Sequence, residues 1–86
     1  YMFELQEDIL LVSLPEGKTQ EELIAICKIA IGELASSGSL YGREIKLNGR
    51  LTTGMALFLG HYLAHITKSV SIFDPKENAY ILCVKH

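Results

Sequence analysis

Apolar and polar positions change period several times along the chain, and each change marks a new element. Tyr1 to Leu5 and Ile9 to Leu14 are β-rich segments separated by the polar Gln6-Glu7-Asp8. This is the pattern of a hairpin with a three-residue connection, and Pro15, Glu16 and Gly17 end its second strand. From Thr19 the period lengthens. Thr19 and Glu22 have the spacing of a capping box, and Leu23, Cys27, Ala30, Ile31 and Leu34 recur at helical steps. The spacing predicts a helix from about Gln20 to Ala35, stopped by Ser36-Ser37-Gly38. Tyr41 to Leu47 alternates and predicts a third strand. Asn48-Gly49-Arg50 then reads as a turn, with Gly reaching backbone conformations closed to other residues.

A second helix is capped by Thr52 or Thr53. Met55, Phe58, Leu59, Tyr62 and Ile66 form one stripe along it, and Gly54, Leu57, His61 and His65 form another, so the two histidines share a face. Val70 to Phe73 and Ala79 to Val84 are two further strands, joined by Asp74-Pro75-Lys76-Glu77-Asn78, a composition suited to a tight hairpin loop. The predicted order is β-β-α-β-α-β-β. No repeat, low-complexity tract or linker interrupts it, so residues 1–86 read as one α/β domain, a mixed sheet packed with two helices. An exposed face or edge of such a sheet favours a dimer.

Composition narrows the function classes. A chain of 86 residues that is 49% hydrophobic sustains one domain, although at this length only about 60–65% of the unfolded surface is buried, so association would help. Charges interrupt every apolar run well short of the roughly 18 residues needed to span a bilayer, and no charged-then-apolar signal segment opens the chain. The expectation is a cytoplasmic protein that does not enter membranes. Cys27 and Cys83 lie far apart in apolar runs and read as buried, reduced thiols. A net charge of −2 argues against tracking along long nucleic acid, which draws on many basic residues, but leaves room for a short nucleotide in a local pocket.

The candidate chemistry is concentrated late in the sequence. All three histidines, His61, His65 and His86, lie from position 61 onward and flank Asp74 at the end of a predicted strand. Imidazole and carboxylate together suit a divalent metal such as manganese or zinc, and equally suit general acid and base work. His61 and His65 have the i, i+4 spacing of helical metal ligands, but no Glu follows His61 as a zincin requires. Each residue also has a plain structural explanation: a local hydrogen bond for His61, a helix C-terminus for His65, and a turn bond for Asp74. Gly49-Arg50, at a strand-to-helix junction, offers backbone amides, a helix N-terminus and a guanidinium to a phosphate, or is simply a tight turn with an exposed Arg.

From Asn48 to His86 the chain resembles the CRISPR-associated family called Csx-three, accessory proteins of type III interference systems. The matching pieces are Gly49-Arg50, Phe58-Leu59-Gly60-His61, Ala64-His65, the strand Val70 to Phe73 running into Asp74-Pro75, and His86. The resemblance implies a Rossmann-like relative of the CARF sensor domains. It also implies a homodimer that binds short adenosine-rich RNA and acts as a ring nuclease on cyclic oligoadenylate, chiefly cyclic tetra-adenylate, with Mn²⁺. On that resemblance His61, Asp74 and His86 hold the metal, and Lys76 joins them in catalysis. Asn48, Gly49, Arg50 and His65 contact the ligand. Lys76 stands where the family carries Arg, which keeps the charge and loses bidentate phosphate recognition. Relatives also continue past the position of His86 with a further strand-bearing segment. Two other activities fit the same residues: a manganese-dependent exoribonuclease trimming adenosines from linear RNA, and a catalytically silent sensor of the messenger.

Overall fold

Alternation within each strand decides which face it buries, and the two helices cover the face so chosen. In the computed structural model, which describes residues 2–85, Tyr1 and His86 lie outside the described residues. The described residues form β1 (Phe3–Gln6), β2 (Ile9–Val12), α1 (Gln20–Ser36), β3 (Glu44–Gly49), α2 (Thr53–Ala64), β4 (Ser69–Asp74) and β5 (Ala79–Lys85). The order is the expected β-β-α-β-α-β-β.

The strands lie in one sheet in sequence order, β1-β2-β3-β4-β5. The β1–β2 and β4–β5 pairs are antiparallel, while β2, β3 and β4 run parallel through α1 and α2. Leu10 and Val12 of β2, Ile45 and Leu47 of β3 and Val70 of β4 enter the core. They meet Leu23, Cys27, Ile31 and Ala35 of α1 and Met55, Leu59 and Leu63 of α2. Since α1 also contacts α2, both helices cover the same sheet face and the molecule has two layers. A fully buried Leu at such a position contributes about 1.5–3 kcal/mol over an exposed one.

Local chemistry fixes the helix ends. Thr19 N–H donates to Glu22 Oε1 at 2.9 Å and Glu22 N–H donates back to Thr19 Oγ1 at 3.2 Å, the capping box expected at α1. The bond from the Thr19 amide first, and the neighbouring Thr19 side chain second, hold the Glu22 carboxyl below the usual carboxylate range. Thr52, one of the two expected candidates, caps α2 by accepting from Met55 N–H at 3.2 Å.

Several details depart from the expectations. The β1–β2 connection has two residues, Glu7 and Asp8, because Gln6 pairs with Ile9 and Glu7 takes a positive φ of 56°. Strand β3 starts at Glu44, with Tyr41 exposed before it, and continues through Asn48 and Gly49, so those two residues pair with β2. Arg43 occupies the loop before β3 and ties it to the first hairpin, its guanidinium 2.8 Å from Asp8 Oδ1 and also donating to the Glu7 carbonyl. His65 is the C-cap of α2, in keeping with its plain structural reading from the sequence. Leu63, outside the expected stripe, is fully buried.

The two cysteines differ. Cys27 is buried, and burial pushes its thiol up to about 11, so it stays a neutral core side chain at neutral pH. Cys83 is exposed, contrary to the expectation of two buried thiols. The cause is a β-bulge: Val70 pairs with Val84 and Ser71 with Leu82, which leaves Cys83 without a partner in β4. No helix among the described residues is long and apolar enough to cross a membrane.

Candidate functional site at the carboxyl edge of the sheet

The parallel strands β3 and β4 end together, and their ends gather five of the candidate residues. Leu47 pairs with Ile72, so two residues further along both strands bring Gly49 beside Asp74. Gly49 has a φ of 111°, and a Cβ there would collide with the Val12 carbonyl oxygen and come within 3.0 Å of Val12 N. Only glycine fits this approach to β2, which Arg50 N–H continues by donating to the Val12 carbonyl at 3.3 Å. Asn48 Oδ1 accepts from Gly49 N–H at 2.7 Å, while Asn48 Nδ2 donates to Tyr80 Oη at 2.9 Å.

Helix α2 begins at this same edge. Thr52 Oγ1 donates to Gln20 Oε1 at 3.0 Å, and Gly54 lets α1 come close, since a Cβ there would lie 3.2 Å from Gln20 Oε1. The first amides of α2, the exposed Arg50 and the exposed Lys76 thus border one edge. Asp74 is half-buried, and its Oδ1 accepts from Lys76 N–H at 2.9 Å, the bond to the backbone two residues on that a turn Asp makes. Asn78 closes the loop with a φ of 54°. Helix amides with cationic side chains suit a phosphate.

The histidine pair sits elsewhere. His61 and His65 are exposed on the outer side of α2, with Nε2 atoms 3.4 Å apart and ring centroids 4.8 Å apart at 79°. The end of α2 that carries them meets the start of β3, where Gly42 N–H donates to the Ile66 carbonyl and Lys68 N–H to the Arg43 carbonyl. Strand β4 runs from this amino edge to Asp74 at the carboxyl edge, so His61 and Asp74 lie at opposite edges of one copy. Among the described residues no group of three or more His, Cys, Asp or Glu converges. His86 falls outside the described residues.

One region escaped the sequence reading. Lys46, Lys68 and Lys85 come from different strands and a loop, yet they border one concavity on the sheet face that the helices leave open. The signal available was the strict alternation of Glu44, Lys46 and Asn48 with buried Ile45 and Leu47. Comparison with known protein families, curated proteins and solved structures finds no match to this chain.

Proposed function

We propose that this chain is a ring nuclease that binds and degrades cyclic oligoadenylate, cyclic tetra-adenylate first, and so ends type III CRISPR antiviral signalling in the cytoplasm. The observation that supports the reading is that Arg50, Asp74, Lys76 and the start of α2 border the same carboxyl edge of β3 and β4, with the Lys76 amide bonded to Asp74. Arg50 supplies a planar, two-pronged donor for a phosphodiester. Lys76 adds a point charge, and the amides of α2 favour negative charge at their end. Asp74 is the one carboxylate among these groups, suited to orienting or deprotonating a ribose 2′-hydroxyl.

The separation of His61 from Asp74 within one copy gives the reading a further requirement. A homodimer, or a larger assembly formed on the ligand, brings His61 of one copy toward Asp74 of another, and the manganese requirement belongs to that assembly.

Incubating the protein with cyclic tri-, tetra- and hexa-adenylate, with Mn²⁺ or excess chelator, and separating the products by chromatography tests the reading. Linear or smaller adenylates are expected with Mn²⁺ only, and Asp74→Ala should abolish turnover while leaving binding measurable. Tight binding of an intact ring by the wild type would replace the nuclease by a sensor, and shortening of linear RNA alone would replace it by an exoribonuclease.

A further inference from the structure

The open face of the sheet concentrates positive charge in a chain whose net charge is −2: three of its eight basic residues, Lys46, Lys68 and Lys85, border one concavity of about 280 Å³. Glu44, Ile45, Ser69, Ser71 and Leu82 complete its lining. Glu44 offsets part of the charge, but its carboxylate stands 3.8 Å from Lys68 Nζ with both side chains well exposed. Like charges gathered around one concavity repel, so the cluster gains stability from a bound anion.

An aromatic platform adjoins it on the same face. Phe73 and Tyr80 are cross-strand partners whose ring centroids lie 5.3 Å apart at 65°. The bond from Asn48 fixes the Tyr80 hydroxyl, and Lys46 Nζ stands 5.6 Å from the Tyr80 ring centroid, where platform and cations meet. From Ser69 to Asp74, β4 carries this strip over about 17 Å at ~3.3 Å per residue, long enough for several nucleotides. Basic side chains beside stacked aromatics are what a single-stranded nucleic acid needs: cations for its backbone and a π-face for its bases.

We propose that the open face binds a short single-stranded oligonucleotide. Lys46, Lys68, Lys85 and the hydroxyls of Ser69 and Ser71 hold its phosphates, and one base stacks on the Phe73–Tyr80 platform. The base takes the place of the Lys46 ammonium over Tyr80, which frees that ammonium for the neighbouring phosphate. This surface is separate from the carboxyl-edge site, and the proposal rests on the oligoadenylate reading only for the choice of adenosine as the base.

The test is fluorescence anisotropy with 5′-labelled linear tetra-adenylate RNA in excess chelator over a series of KCl concentrations. The Lys46→Glu/Lys85→Glu double variant should bind at least about tenfold more weakly and lose roughly 0.7 from the salt slope per lysine. Tyr80→Ala should weaken binding by about fivefold or more, and Tyr80→Phe, which keeps the ring, should bind like the wild type. Thermal melts of each variant confirm that the fold is retained. Wild-type-like affinity in the double variant overturns the proposal, as does no binding by the wild type. Sedimentation showing a wild-type dimer that the double variant dissociates also overturns it, since the face is then covered by a second copy. Charge-dependent binding without degradation of the cyclic substrate supports this surface and ends the ring-nuclease reading. Degradation with unchanged binding in the double variant does the reverse.

Discussion

The two faces of the sheet are made from alternate residues of the same strands, yet they carry different work. In β3, Ile45 and Leu47 are sealed beneath the helices, while Glu44 and Lys46, which alternate with them, stand exposed. In β4 and β5 the same alternation separates Val70 and Val84, which pair on the covered face, from Ser71 and Leu82, which pair on the open one. Stability therefore resides in one set of positions, and the other is left to charge, hydroxyl and aromatic chemistry with little cost to the fold.

Adjacent residues of β3 give the sharpest way to break this contrast. Ile45→Ala should lower unfolding free energy by about 2–5 kcal/mol in urea titrations, whereas Lys46→Ala should stay within about 0.5 kcal/mol of the wild type. Equal losses at the two positions would end the division between faces. Gly49→Ala tests the edge where the faces meet. A Cβ forced toward Val12 at a φ of 111° should cost about 1–3 kcal/mol and shift the thermal midpoint downward, and an unchanged midpoint would show that β2 and β3 can part there freely.

A more modest loss than at Ile45 is expected at the start of α1, next to the Gln20–Thr52 contact. Thr19→Ala should cost about 1 kcal/mol. Because the folded chain holds Glu22 below the ordinary carboxylate range, its contribution is present at neutral pH and is lost as pH falls through the folded-state value. Stability measured from pH 7 into acid should therefore fall less steeply in Glu22→Gln than in the wild type, and parallel curves would assign no role to the Glu22 carboxylate.

Periodicity made the element order legible because both signals it reads, the steps of Leu23, Cys27 and Ile31 and the alternation around Ile45 and Leu47, are imposed by burial. The Thr19 box and the Asp74 turn were legible for a different reason, being bonds between residues two or three apart. What the sequence hid is tertiary. Asn48-Gly49 reads as a turn until β2 is beside it, and Tyr41 reads as strand until nothing covers it. Exposure of Cys83 depends on a register slip against β4. The late clustering of His61 and Asp74 along the chain gave no warning that α2 and β4 carry them to opposite edges, since an element's length separates what its sequence keeps near.

The outermost strands bear on how the molecule avoids unwanted association. Strand β5 presents a run of Tyr80, Ile81, Leu82, Cys83 and Val84 at a sheet boundary, a composition prone to template cross-β growth. The slip at Cys83 interrupts the regular spacing of backbone donors and acceptors that an incoming chain would have to match, and Lys85 sets a charge at its end. Strand β1 reaches the same end by other means, with only four residues and the polar Glu4 and Gln6 exposed among them. The two margins of the sheet thus disfavour edge pairing separately, one by irregularity and the other by brevity.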